Sequence, residues 1–304
     1  MHNRDEACPA PAGALRAGLS RGEFVVAPGV FEMFGARIAD RMNFRALYMT
    51  GYGVSASHLG LADAGLAGYT DFVLRARTIA HGTRTPLIAD ADTGFGGLVN
   101  IRHTVRGYEE AGVQAIQLED QESPKKCGHT ANRKVVPLRD AIQRIEVAVD
   151  ARRSSDFLVI ARTDARTGSG LDEAIARGKA FAKAGADIIF VESPESVEEF
   201  ERIGSELADC GAWLMANMVP TGRSPELSAA RLEAIGFSLA IWPSVLMASA
   251  CAAMESALAT LAADGSTERT TVPRYDMKRL HELVGFEDLW EFERKWGSRT
   301  PDTT

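Results

Sequence analysis

Short apolar runs that turn polar at their ends alternate along the chain with longer stretches in which apolar residues recur every three or four positions. The short runs are FVVAPGV from Phe24, ALYMT from Ala46, LIADADT from Leu87, AIQLED from Ala115, LVIARTDA from Leu158, IIFVES from Ile188, WLMANMV from Trp213 and SLAIWP from Ser238. Their length and residue types predict strands. The stretches between them, such as NIRHTVRGYEEAG, LDEAIARGKAFAKAGAD and VEEFERIGSELADCG, have helical spacing and a glycine just past the end, which predicts a helix with its C-cap.

Eight strand-then-helix units in succession predict a closed (β/α)8, TIM-type barrel rather than an open doubly wound sheet. The polar residues sharpen that choice. Most of the strands begin apolar and end polar, as in IADAD, QLED, ARTDA, VES and ANM. Barrel strands bring such ends to one rim, where barrel active sites are built, whereas an open sheet gathers ligands near a single switch point. The expected organisation is a flexible arm over residues 1–13, the barrel over 14–263 and a helical extension over 264–304. After the eighth strand, VLMASACAAMESALATLAADG predicts a small-residue helix, suited to the eighth barrel position or to burial against another subunit. HELVGFEDLWEFERKW adds two aromatic helical pieces that pack across the barrel or a neighbour.

Composition narrows the function classes. The 304 residues have room for two domains, but barrels of about 250 residues are commonly one. A formal charge of -7 and a pI near 5.5, with no basic run, argue against nucleic acid as a partner. Local Lys and Arg can still dominate a pocket for an anionic substrate. Cys8, Cys127, Cys210 and Cys251 lack metal-ligand spacing and are too few for a disulfide framework, which points to the reducing cytoplasm. No apolar run reaches the ~18 residues that span a membrane, so no membrane partner is expected. The start, MHNRDEACPAPAG, lacks the apolar core of a secretion signal.

The strand ends hold the candidate chemistry. Asp90 and Asp92 are two apart on a strand and so face one side. Two carboxylates in one space repel unless something positive lies between them. With Glu119 and Asp120 ending the next strand, a hard divalent cation becomes the natural partner. Asp63 in HLGLADAG serves either as a loop cap or behind such a metal. In KKCGH, Lys125 and Lys126 place positive charge beside Cys127, which favours its thiolate. The residues alone leave three roles open for Cys127: proton donor, nucleophile with His129, or inert loop cysteine. Gly128 between them allows unusual backbone angles. Arg162 offers a fork matched to a carboxylate, and Asp164, Glu192 and Asn217 end on the same rim. Thr50, Gly51 and Tyr52 are placed to offer backbone N–H groups to a carboxylate. His58 falls near this region, whereas His81 and His103 have the pattern of helix-surface residues.

KKCGH together with IADADTGFG, QLEDQ, ARTDA, VES and ANMVPTG resembles the isocitrate lyase/phosphoenolpyruvate mutase superfamily, across roughly Leu15 to Ala263. The resemblance implies a Mg²⁺-dependent barrel (Mn²⁺ is an alternative) whose C-terminal helix is exchanged between subunits, usually in a homotetramer. Asp90, Asp92 and Glu119 would associate with metal largely through water, with Asp63 behind them. Tyr48, Thr50, Gly51 and Tyr52 would hold the oxo-acid end of a small di- or tricarboxylate. Lys125, Cys127, Gly128 and His129 would lie on a gating loop, and Arg162, Glu192 and Asn217 would contact substrate.

In the carbon–carbon lyases of this resemblance the loop cysteine protonates the carbanion-like fragment, whereas the phosphonate-forming mutases lack KKCGH. True isocitrate lyases are much longer. The 2-methylisocitrate lyases usually place an Arg after the eighth strand, where this chain has WPSVLMASACAAM with no Arg. ANMVPTGRSP is more similar to the dimethylmalate lyase and oxaloacetate hydrolase branch. Cleavage of a substituted malate is therefore expected first. The alternatives are 2-methylisocitrate cleavage, oxaloacetate hydrolysis and a non-catalytic barrel that binds an oxo acid. Tyr48 and Glu192 both stand as candidates for the base that removes the substrate's hydroxyl proton.

Overall fold

The eight predicted strands form as β1 (Val25–Val30), β2 (Leu47–Met49), β3 (Leu87–Asp90), β4 (Ala115–Glu119), β5 (Leu158–Thr163), β6 (Ile188–Val191), β7 (Trp213–Asn217) and β8 (Leu239–Trp242). The computed structural model describes residues 9–128, 130 and 133–297. All strand pairs are parallel and each strand adds to the next, with β8 returning to β1 through Val25↔Leu239 and Ala27↔Ile241, so the sheet closes into a (β/α)8 barrel. The three helical stretches singled out by spacing form as Leu98–Glu110, Leu171–Lys183 and Val197–Leu207. The glycines after them, Gly112, Gly185 and Gly211, have φ of 85°, 97° and 79°, a backbone that side chains with a Cβ rarely adopt.

Alternation along the strands splits the core in two. Tyr48, Ile88, Ile160, Ile188, Phe190, Met215, Leu239 and Ile241 belong to one buried cluster. Their sequence neighbours, among them Leu47, Met49, Ala89, Val159, Ala161, Ile189, Leu214 and Ala240, belong to the other, which includes the helix faces. The first set is therefore the barrel interior. Leu15 and Leu19 of the first helix, Ala14–Ser20, join the interior set. Gln114 ties the segment before that helix to the barrel: its Oε1 accepts from Leu15 N at 2.9 Å, and its Nε2 donates to Pro11 O at 2.8 Å.

Residues 9–248 make one compact unit and residues 249–297 belong to a second. The second contains most of a helix over Val245–Asp264, followed by helices Met277–Val284 and Phe286–Gly297 on either side of Gly285, whose φ is 84°. The expectation about membrane-length segments needs correcting. The Val245–Asp264 helix is 20 residues long with mean hydropathy 1.6, long and apolar enough to cross a membrane by length and composition. Serines and Glu255 interrupt the apolar run, but Ala, Leu and Met dominate its average. Among the described residues, none of this helix is buried.

Candidate active site

The alternation that turns Ile88, Ile160 and Met215 inward also turns Asp90, Arg162 and Asn217 inward, two residues nearer the carboxyl-end rim. Register sets Glu119 beside Arg162, and Glu192 continues the parity of Ile188 and Phe190 just past β6. Asp90, Arg162 and Asn217 open onto a cavity of about 340 Å³. The polar part of its lining includes Tyr48, Thr50, Tyr52, Asp63, Asp90, Cys127, Gly128, Arg162 and Asn217. Val219, Pro220, Ile241, Pro243, Met247 and Ala248 supply the apolar part. Sequence-predicted residues from the ends of β2, β3, β5 and β7 thus line it, together with the Cys127 loop. Glu192 lies behind the wall, with Asn217 Nδ2 donating to its Oε2 at 3.2 Å and Arg162 Nε 3.7 Å away. His129 lies outside the described residues.

Asp90 and Asp92 do meet, but not by strand parity. β3 ends at Asp90, and Asp92 takes a left-handed φ of 48°, a conformation that Asp tolerates better than most residues. Its N–H donates to Asp90 Oδ1 at 3.0 Å, and Glu119 N donates to its carbonyl at 2.9 Å, so one turn fixes all three acids. Gly51 approaches so closely that a Cβ there would lie 2.5 Å from Asp90 Oδ2. Burial pushes the Asp92 carboxyl up to about 7 against the pull of the Lys125 ammonium, and pushes Glu119 well above the carboxylate range against Arg162. Lys125 is itself buried. Its Nζ donates to Asp63 Oδ1 and lies 2.7 Å from Asp92 Oδ1. Its charge is therefore engaged by these acids rather than reserved for the Cys127 thiol.

The donor set suits a hard divalent cation. Glu119 Oε1 is buried with no hydrogen-bond partner among the described residues, and Asp92 Oδ1 lies near the lysine without hydrogen-bond geometry. Among the described residues no three acidic, His or Cys side chains converge tightly enough to cage an ion. Magnesium tolerates this, because it keeps several waters and needs only one or two direct carboxylates.

Asp120, expected beside these acids, faces elsewhere. It is one residue from Glu119, so its side chain points to the opposite face. There it accepts from Thr163 Oγ1 at 2.8 Å, Asp164 N at 2.9 Å and Arg177 Nη1 at 3.1 Å. Asp164 is absent from the cavity lining and instead grips Arg162 in a bidentate pair at 2.9 and 3.0 Å. Thr50 cannot offer its N–H to a ligand, because it donates to Val30 O at 3.1 Å. The donors left there belong to Gly51 and Tyr52, at the start of the short helix Gly51–Val54, where the first N–H groups lack helical partners.

Three functional neighbours escaped sequence reasoning. Gln117 is fully buried inside β4, where its Oε1 accepts from Tyr48 OH at 3.0 Å and its Nε2 donates to Asp90 Oδ1 at 3.4 Å. A polar residue at an inward strand position was its available signal. Ser193, buried with φ 57°, reaches both Glu192 Oε1 at 2.8 Å and Gly128 O at 3.0 Å. Nothing in VESPES marks that conformation. Arg133 is buried behind the Cys127 loop, in a segment whose pattern gives no sign of a core position.

The comparisons agree with this geometry. A family model described as phosphoenolpyruvate phosphomutase matches residues 15–262. The 2,3-dimethylmalate lyase of Eubacterium barkeri is 45% identical over 287 residues, covering 94% of this chain and 98% of that protein. The structure of an oxaloacetate acetylhydrolase with the inhibitor 3,3-difluorooxalacetate matches at TM-score 0.89 and 35% identity, over 95% of this chain and 98% of that one. A phosphonopyruvate hydrolase solved with oxalate and Mg²⁺ matches at TM-score 0.85 and 30% identity, over 94% and 99%. A closed parallel barrel, acids and a cysteine loop at one rim, and a family match across nearly the whole barrel place the chain in the phosphoenolpyruvate phosphomutase/isocitrate lyase family.

Proposed function

We propose that the protein is a divalent-metal-dependent carbon–carbon lyase that cleaves an alkyl-substituted malate, of the 2,3-dimethylmalate kind, into an oxo acid and a carboxylate. The observation that carries this reading is the make-up of the cavity wall. Among the described residues of its lining, Arg162 is the one basic side chain, while Val219, Ile241, Pro243, Met247 and Ala248 form an apolar surface. Arg162 can pair with one carboxylate, and the metal site with the hydroxy-acid end, so the lining provides charged partners for the two ends of a dicarboxylate. The third carboxylate of 2-methylisocitrate would be desolvated against apolar side chains, whereas methyl substituents gain from the same contact. The similarity to a 2,3-dimethylmalate lyase supports the same choice.

Asp90, Asp92 and Glu119 would hold the metal, with Asp63 behind them through Lys125. A bound Mg²⁺ or Mn²⁺ would supply Lewis acidity toward the substrate's hydroxyl. Arg162 and the N–H groups of Gly51 and Tyr52 hold the oxo-acid half. Of the two candidate bases, Tyr48 lines the cavity, but burial pushes its phenol well above its usual range, with Asp90 adding to the effect. Tyr48 therefore keeps its proton, which it donates to Gln117 Oε1 at 3.0 Å. Glu192 is the remaining candidate for the base: its carboxylate, oriented by Asn217 and Ser193 behind the wall, would take the hydroxyl proton through a bridging water. As the bond breaks, its electron pair stays with the departing enediolate, whose carbon takes the proton of Cys127. We place the enzyme in the cytoplasm as a homotetramer.

The test is a panel of 2,3-dimethylmalate, malate, 2-methylisocitrate and oxaloacetate with Mg²⁺, reading released oxo acid or oxalate. The highest kcat/KM is expected for the alkylated malate. A preference for 2-methylisocitrate would overturn the wall argument, and oxalate binding without any turnover would establish a non-catalytic barrel.

A further inference from the structure

Arg133 takes no part in the chemistry above, yet its guanidinium is among the most enclosed charges of the chain, with the side chain fully buried beside an equally buried Asp164. A buried charge is costly unless it is fully engaged, so a position needing only volume would be served better by an apolar residue. Arg133 Nη1 donates to Asp164 Oδ1, the same oxygen that accepts from Arg162 Nη2 at 2.9 Å. Asp164 Oδ2 accepts from Arg162 Nε at 3.0 Å. Arg133 Nη2 donates to Thr167 Oγ1 and lies 3.4 Å from Ser193 Oγ. Its Nε is buried with no hydrogen-bond partner among the described residues, so the terminal nitrogens alone set the orientation.

We propose that Arg133 is a positioning residue: by gripping Asp164 and Ser193 together, it sets the direction of the Arg162 fork and holds Gly128 at the cavity wall. A carboxylate paired with a single guanidinium can pivot about its own bond. A second guanidinium on one of its oxygens removes that freedom, and the planar fork of Arg holds two partners at fixed angles. Ser193 Oγ accepts from Arg133 and directs its one proton toward Gly128 O or Glu192 Oε1, which carries the constraint to the cysteine loop. Gly128 has no slack there, since a Cβ on it would sit 2.5 Å from Arg162 Nη2. The proposal rests on the reading of Arg162 as the clamp for a substrate carboxylate.

The experiment is calorimetric titration of oxalate in the presence of Mg²⁺, with melting temperature and steady-state KM recorded for each variant. Arg162→Gln tests the clamp, Arg133→Gln removes the second grip, and Arg133→Lys restores charge without the fork. Thr167→Val loosens Arg133 while leaving every charge in place, so the comparison survives if Arg133→Gln does not fold. Arg133→Gln is expected to weaken oxalate binding about tenfold and to raise KM in the folded protein, since a hydrogen bond to a charged group has been lost in effect. Arg133→Lys and Thr167→Val should fall between that variant and the parent. In an Arg162→Gln background the Arg133 effect should shrink to about twofold or less, because the two act through one carboxylate. A lower melting temperature with unchanged oxalate affinity would make Arg133 purely structural and overturn the proposal alone. Unchanged affinity in Arg162→Gln would overturn the clamp, and the positioning role with it.

Discussion

Cys127 is half-buried in the cavity wall, next to a glycine pressed against Arg162 and Glu192. In the proposed function its role separates from binding, because Arg162, Gly51 and Tyr52 would hold the oxo-acid half without needing a thiol. Cys127→Ser is therefore expected to bind oxalate within about threefold of the parent while cleavage falls by ~100- to 10,000-fold, the usual cost of losing a positioned proton donor. Equal losses of binding and rate would make the loop part of the pocket's frame instead. Asp92 supports a second prediction. Its backbone closes the acid turn, which leaves its carboxylate free of that turn, with Oδ1 2.7 Å from Lys125 Nζ. Asp92→Ala should weaken Mg²⁺ binding in direct titration by at least about tenfold and lower the melting temperature of the metal-free protein, since the buried Lys125 ammonium keeps Asp63 but loses one of its two close carboxylates. Mg²⁺ affinity unchanged by the substitution would move the metal away from this turn. Asp90, Arg162 and Cys127 were legible as cavity candidates because they are charged or reactive groups at one rim, but the same signal also pointed to Asp120 and Asp164, which turned out to support the wall. The remaining supports were not legible in this way. Gln117, Ser193 and Arg133 act through backbone angles and distant contacts that no local spacing encodes.

At the level of strands and helices, the pattern of apolar starts and polar ends located all eight strands, because both faces of a closed sheet are buried and its residues turn polar only where the rim meets the cavity. Less regular pieces escaped, among them the short helix Gly51–Val54, the π-turn Ser55–Leu59 and the short helix Ala165–Ser169. Each is too brief to show a period. Close backbone contacts escaped as well, and Gly204 shows their weight. Inside the helix Val197–Leu207 an alanine should gain about 1 kcal/mol in helix propensity over glycine. A Cβ at Gly204, however, would lie 1.8 Å from the carbonyl oxygen of Ile235, a backbone atom that cannot rotate away. Overpacking of this kind costs about 1–3 kcal/mol. Gly204→Ala is thus expected to lower stability by up to about 2 kcal/mol, read as a melting temperature lower by up to roughly 8 °C. A rise in melting temperature would show that this helix can slide off Ile235 at little cost.

For the whole molecule the unresolved balance is the apolar surface of the Val245–Asp264 helix. Met254, Leu258 and Leu261 are 56%, 63% and 43% exposed, and no residue of the helix is buried among those described. Burying apolar area is worth roughly 25 cal/mol per Å², so such a face gains several kcal/mol when another surface covers it. Contiguous exposed apolar patches are rare on proteins that stay single. A second copy of the chain is the occupant expected here, and light scattering at micromolar concentration should report an oligomer. Met254→Glu combined with Leu258→Glu should shift the mass toward the monomer, because two carboxylates buried in an apolar interface have no partners. Residues 9–248 form their own compact unit, so the barrel's melting transition should persist in that variant. If the parent runs as a monomer with full turnover, self-association is not what covers this face. Partition of the parent into lipid vesicles, with no oligomer in their absence, would assign the helix to a membrane instead.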